Sequence, residues 1–177
     1  MSRSTTPTRS VNVLTCAMLA VLAVLLVPAG NIGAADYHVD QSGNDSTGDG
    51  SPGSPWRTIR HALDELSAGD TLYIHVGTYP AGGDSTDAYT IPTSGSSGSP
   101  ITITNYQNDE VVISTAQAGF VLSGKDYITF DGLVIDNTTA LSCIDAVGDY
   151  ITIRNCELTN GSNAVKCSDA TTYTYLL

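Results

Sequence analysis

Short runs of alternating apolar and polar residues fill the second half of the chain, and they recur. Segment 126–137 (DYITFDGLVIDN) lines up without a gap against segment 149–160 (DYITIRNCELTN), at a constant offset of 23 residues. Five of the twelve positions are identical and most apolar positions match in kind, so the two segments are copies of one structural unit. A further step of 23 reaches Thr172-Tyr173-Thr174-Tyr175. Runs of the same character occur at looser spacing at Thr71-Leu72-Tyr73-Ile74 and Ile101-Thr102-Ile103-Thr104. Period-two alternation over four or five residues predicts half-buried strands. The first unit gives Tyr127–Phe130, Leu133–Ile135 and Cys143–Val147, and the second gives Tyr150–Ile153, Cys156–Leu158 and Ala164–Lys166.

Three such short strands cannot bury their apolar faces alone, but stacked copies can. Each strand then pairs in parallel with its counterpart one coil away, and the full coil supplies the crossover, right-handed by the general rule. The fold expected is an all-β, right-handed parallel β-helix with coils of about 23 residues. Alternation points Ile128, Phe130, Ile151 and Ile153 inward, and Thr129, Asp131, Thr152 and Arg154 outward. A uniform offset places Cys156 in the column of Leu133 and Cys167 in that of Ile144. It therefore predicts both thiols to be buried and reduced, and Cys143 to be more exposed. Asn137 and Asn160 share a turn column, where stacked amides can bond one another along the axis.

Ahead of the coils, Ile59, Ala62, Leu63 and Leu66 form the i, i+3, i+4, i+7 stripe of an amphipathic helix, with Thr58 as its N-cap. A helix there can cover the open end of the solenoid. At the N-terminus, Arg3 and Arg9 precede an apolar stretch from Val11 to Val27, broken at Pro28 and Gly30 and followed by Gly33-Ala34-Ala35. That is the layout of a secretory signal peptide. The alternative, a permanent membrane anchor, needs a span of about 20 apolar residues. The chain divides accordingly into a signal peptide over 1–35, a cap with a short helix over 36–70 and coils over 71–177. The expected location is secreted, extracellular or periplasmic, with no membrane contact after cleavage. The final run, Thr174 to Leu177, carries no capping element, so further coils or a partner are expected to cover it.

Charge narrows the partners. Lys plus Arg number 7 and Asp plus Glu 18, a net charge of −11. Removing residues 1–35 takes away two basic residues and no acidic one, which leaves −13. A surface this acidic repels phosphate backbones and excludes nucleic acid as a partner class. No CxxC or CxxH spacing supports zinc. His38 and His75 fall on separate strands and His61 on the helix, so no catalytic triad is expected from them. The Gly-rich segment from Asp40 to Gly50 reads as turns held by Asx hydrogen bonds.

One group of motifs carries a resemblance. Tyr37-His38-Val39-Asp40, Gly43-Asn44-Asp45, Pro55-Trp56-Arg57-Thr58-Ile59, Ala68-Gly69-Asp70-Thr71-Leu72 and Gly77-Thr78-Tyr79 resemble the entry region of the secreted pectate-lyase-like β-helix superfamily. The resemblance spans Tyr37 to Cys167. It implies a carbohydrate-associated protein and, for a lyase, a basic residue that removes a proton beside a carboxylate while Ca²⁺ neutralises that carboxylate. Among the bases Arg57, Arg60, Lys125, Arg154 and Lys166, the candidates are Arg154 and Lys166. Arg154 also stacks one coil from Asp131, where an exposed ion pair is its simplest role. Outward carboxylates at Asp131, Asp136, Asp145 and Asp149, with Glu157 one coil on, are the candidate Ca²⁺ ligands. The function expected is that of an exported β-helix related to polysaccharide lyases and non-catalytic as it stands. The alternative is a calcium-dependent lyase, or part of one, acting on an acidic polysaccharide such as pectate or alginate.

Overall fold

The computed structural model describes residues 33–80, 88–137, 141–167 and 173–176, the last stretch as backbone only. Nearly all of the expected signal peptide lies outside them. No helix among the described residues is long and apolar enough to cross a membrane. In chain order the elements are β1 (Asp36–Val39), α1 (Ile59–Glu65), β2 (Thr71–Ile74), β3 (Gly77–Pro80), β4 (Tyr89–Thr90), β5 (Ile101–Asn105), β6 (Val111–Thr115) and β7 (Phe120–Val121). There follow β8 (Ile128–Asp131), β9 (Val134–Asn137), β10 (Ser142–Asp145), β11 (Ile151–Arg154), β12 (Glu157–Thr159), β13 (Asn163–Lys166) and β14 (Tyr173–Leu176). They form three sheets, ordered β1-β2-β5-β8-β11-β14, β3-β6-β9-β12 and β4-β7-β10-β13. Every pairing between these strands is parallel, and each of the four coils from β2 to β13 contributes one strand to each sheet, as a β-helix requires.

The coils shorten along the chain. Thr71 pairs with Asp36, an offset of 35, and Thr102 with Thr71, an offset of 31. Thr129 pairs with Thr102 at 27, Thr152 with Thr129 at 23, and Thr174 with Thr152 at 22. The shrinkage is in the connections, since the strands of the large sheet keep four or five residues. A threonine column therefore runs along the outer face of the large sheet. Beside it runs an inner column of Leu72, Ile103, Phe130 and Ile153, each with no exposed surface. Ile101, Ile128 and Ile151 make a second inner column, and Phe120 stacks on Phe130 with ring centroids 4.8 Å apart. Each fully buried side chain of this size contributes about 1.5–3 kcal/mol. Thr129, expected outside, is only 9% exposed, flanked by Thr102 and Thr152.

The helix forms where the stripe predicts it, over Ile59–Glu65, with Ile59, Ala62 and Leu63 buried. Thr58 Oγ1 accepts from His61 N as the N-cap. The Asp45 carboxylate accepts from Arg57 N, Thr58 N and Thr58 Oγ1, which fixes the approach to the helix. The Gly-rich segment before it is a series of Asx turns: Asp40 holds Ser42, Asn44 holds Ser46 and Thr47, and Asp49 holds Ser51. The large sheet begins at β1, within the segment read as cap. The free edge of β1 is closed by residues 50–56, through His38 N to Gly50 O and Trp56 N to His38 O.

The cysteine expectation is corrected. Cys143 is fully buried and Cys167 is exposed, while Cys156 is buried as expected. The third strand of the coil does not keep the 23-residue step: Ile144 pairs with Val165 and Asp145 with Lys166, an offset of 21. Two residues are lost between β12 and β13, so Cys167 falls past the end of β13. Cys143 instead lies buried on β10, its Sγ 3.5 Å from the carbonyls of Ile135 and Thr159. Burial raises the thiol pKa of both Cys143 and Cys156. In the native protein a thiol reagent near pH 8 is expected to label Cys167 fast and the two buried thiols only on unfolding. Rapid labelling of Cys143 would contradict this placement. The shared Asn column is only partly realised: buried Asn137 donates to the carbonyls of Gln117 and Ser142, and exposed Asn160 donates to Asp136.

Candidate functional site

Where the large sheet ends, the chain turns sharply in every coil, and the turns line up as Asn105, Gly132 and Asn155. Gly132 has φ of 68°, and a Cβ there would crowd the Asn105 side-chain amide, so glycine suits the position. Asn155 takes the same position one coil on with φ of 52°, a conformation that asparagine tolerates. These turns and the last outward residue of β5 and β8 frame a polar cleft of about 450 Å³, lined by Thr104, Asn105, Gln107, Asn108, Asp131, Gly132 and Asn155.

Asp131 and Arg154 meet at its edge as the offset of 23 predicts. Arg154 Nε lies 2.8 Å from Asp131 Oδ2, and Asn155 Nδ2 donates to Asp131 Oδ1 at 2.8 Å. Both carboxylate oxygens are thus engaged. The arginine side chain remains 47% exposed, which leaves its terminal N–H groups turned to solvent. The cleft thus presents amide side chains and one carboxylate already paired with a guanidinium. Such a surface can receive the carboxylates and hydroxyls of a polar, anionic chain.

The remaining predicted residues are elsewhere. Lys166 does not stack on Cys143, as a uniform offset implied. It sits on β13 in a different sheet, with Nζ 3.1 Å from Asp145 Oδ2. The structure therefore does not bring Lys166 and Arg154 together. Asp136 accepts from Thr159 Oγ1 and Asn160 Nδ2 beside β12, and Asp149 N donates to Asp126 Oδ1 ahead of β11. Asp131, Asp136, Asp145 and Asp149 thus face different neighbours. Among the described residues no three His, Cys, Asp or Glu side chains converge as a metal-ligand set. The four carboxylates do not fit a single Ca²⁺ site, because a hard cation of that kind draws six to eight oxygens to one point.

A larger cleft, about 640 Å³, opens beside α1 and is lined by Gln41, Asp45, Arg57, Arg60, Tyr79, Pro80 and Tyr89 among others. Its polar groups are mostly committed. Asp45 caps the helix approach, Tyr79 Oη donates to His75 O, Tyr89 Oη donates to Pro80 O and Gln41 donates to Thr78 O. The cleft at Asp131 has committed groups too, with Thr104 Oγ1 donating to Asn105 O, Asn105 Nδ2 to Asp109 O and Gln107 Nε2 to Tyr106 Oη; of the two it is preferred because it borders the Asp131–Arg154 pair.

Sequence reasoning missed one assembly. His38 and His75 look unrelated in the sequence, yet the 35-residue first coil sets His38 opposite Tyr73 and brings His75 beside it. His38 Nδ1 and His75 Nε2 are 3.1 Å apart, and Asp40 Oδ2 is 3.6 Å from His75 Nδ1. Tyr106 stacks on His75 at 4.4 Å.

A family model described as "Pel9A-like, right handed beta helix region" matches residues 37–175. Among curated proteins, the chain is 33% identical over 129 residues to the uncharacterized protein YwoF of Bacillus subtilis, covering 67% of this chain and 26% of that protein. It is 30% identical over 142 residues to pectate lyase PEL9 of Emericella nidulans, covering 80% of this chain and 32% of that protein. Among solved structures, pectate lyase Pel9A superposes with a TM-score of 0.69 at 21% identity, over 82% of this chain and 39% of that one. A rhamnogalacturonan lyase superposes at 0.56 and 18% identity, over 72% of this chain and 38% of that one. At these identities the superpositions speak for the fold. The chain spans between about a quarter and two fifths of the length of these relatives.

Proposed function

The chain belongs to the family of Pel9A-like right-handed β-helix regions, and from that membership we propose that it is an exported module that binds an acidic polysaccharide along the outer face of its large sheet. The observation that carries the reading is the cleft at Asp131, where the exposed guanidinium of Arg154 is held in place by a carboxylate whose charge it cancels. A protein this acidic repels a polyuronate at long range, so local donors must outweigh the general field. Calcium belongs to this reading as a solution ion that screens the two acidic partners and bridges their carboxylates. No dedicated ligand set of this chain is invoked for it. The expected substrate class is a uronate polymer of the pectate or alginate kind, in keeping with the relatives named as pectate lyases.

A second reading, β-elimination on the same polymer, is favoured by one observation: Arg154 is a basic side chain exposed at the cleft edge. Its partner in the sequence reading, Lys166, has no part in that cleft. The two readings separate in one experiment. The protein is incubated with polygalacturonate and with alginate, with calcium and then with a chelator. Retention of polymer and absorbance of the unsaturated product are followed together. Calcium-dependent retention without product is the expected result. Product formation that disappears in Arg154→Ala would establish the lyase reading, and neither retention nor product would overturn both.

A further inference from the structure

The binding role leaves unused the histidine group at the other end of the large sheet. His38 extends from β1, with only 4% of its surface exposed, and His75 follows β2. We propose that His38, His75 and Asp40 form a one-proton latch, which fastens the first strand to the second coil and opens when a second proton enters the pair.

The geometry limits what the pair can hold. With His38 Nδ1 and His75 Nε2 3.1 Å apart, one N–H fits between the two nitrogens. Either imidazole can donate it while the other accepts. Two facing N–H groups, as in two imidazolium rings, remove the acceptor and set like charges side by side. The far nitrogen of His75, Nδ1, faces Asp40 Oδ2 at 3.6 Å. Asp40 itself is anchored by Ser42 Oγ at 2.6 Å and Ser42 N at 2.8 Å. Those hydrogen bonds, the hydroxyl's first, lower its pKa and keep it anionic while the histidines titrate. One positive charge on His75 therefore has a counter-ion, and a second on His38 has none in contact.

The groups around the pair do not supply one. Tyr73 of β2 stacks on His38 at 5.2 Å, and Tyr106 beyond β5 lies edge-on to it at 5.1 Å. Asp109 engages Val76 N next to His75. Asp36, on β1 itself, attracts a proton to His38, yet burial and the His75 charge prevail and the His38 pKa lies below its ordinary 6.5. The sign of the linkage follows. Below pH 6.5 the unfolded chain binds a proton at His38 that the closed latch refuses. The closed form is fully favoured above that value and loses ground as pH falls towards the lowered one. What loosens is β1 together with the 50–56 edge, whose buried side chains Val39 and Trp56 cover the first coil.

The test uses the whole chain and two readouts. Imidazole ¹⁵N and ¹³C resonances of the native protein are followed from pH 8 to 4.5, together with amide exchange of β1 and of β8 as an internal standard. The His38 ring is expected to titrate below its ordinary 6.5. Exchange protection in β1, corrected for intrinsic rates, is expected to fall relative to β8 by up to about tenfold per pH unit below 6.5. His75→Gln retains a neutral donor and acceptor without the positive charge and is expected to lessen that slope, while His38→Gln removes the group that burial holds neutral and is expected to abolish it. Titration of His38 at or above 6.5 would overturn the latch. So would β1 protection that tracks β8 at every pH, or a slope unchanged in His38→Gln.

Discussion

Ile151→Asp is expected to leave the chain without its native sheets at neutral pH. Ile151 is fully buried, aligned with Ile128 and Ile101 in one inner column. Losing a buried isoleucine alone costs about 2–5 kcal/mol. The new carboxylate would face Ile128 of the preceding coil inside an apolar core, and an unpaired charge in such a place costs several kcal/mol more. Against a typical total stability of about 5–15 kcal/mol, the sum is decisive. The aspartate's pKa would be raised in any folded form, so its penalty is smallest at pH values below its unfolded pKa of about 3.9 and grows as pH rises above it. Circular dichroism and thermal melting therefore have two controls: partial recovery of the sheet signal in acid, and near-native behaviour of Thr152→Asp on the outer face of the same strand. An Ile151→Asp protein that melts like the parent would remove the residue from the core and with it the proposed inner column.

How much of this was legible in the sequence depended on the coil length. Between β8 and β11 the offset is 23, and there the inward columns and the Asp131–Arg154 pair matched the structure, with strand ends shifted by one or two residues and Thr129 buried instead of outside. Earlier coils step by 35, 31 and 27, because their connections carry turns and a helix. Pattern matching at a fixed interval is blind to such steps, although the strands themselves are just as apolar. His38 and His75 were lost for that reason, since their meeting depends on the length of the first coil. A loss of two residues between β12 and β13 had the opposite effect. It kept the alternation but moved Cys167 and Lys166 out of the columns a uniform step assigns. The acidic residues misled differently. An outward carboxylate in a solenoid can pair with whatever lies one coil above it, and Asp131, Asp136 and Asp145 each do so with Arg154, Thr159 and Lys166. Proximity in sequence made them look like one set; the axial stacking separates them.

The cleft makes a prediction in which two substitutions of one ion pair act with opposite sign. Asp131→Asn keeps the shape and an acceptor for Arg154 but removes the charge that competes with a substrate carboxylate. Arg154→Ala removes the donor and leaves Asp131 to repel the polymer. Under the binding reading, Asp131→Asn tightens retention of polygalacturonate several-fold. Arg154→Ala weakens it by about tenfold or more, the range of a charge-assisted hydrogen bond of about 1.5–3 kcal/mol. A purely structural ion pair makes a different prediction. Both substitutions would then lower stability slightly and alike, by the roughly 0–1 kcal/mol of an exposed pair, and leave polymer retention unchanged. Melting temperature and retention measured on the same three proteins, at low and at raised salt, distinguish the cases. Contacts through Arg154 predict that the gain in Asp131→Asn shrinks as salt screens it. Equal retention by all three proteins would dismiss the cleft as the binding surface while leaving the fold and its family untouched.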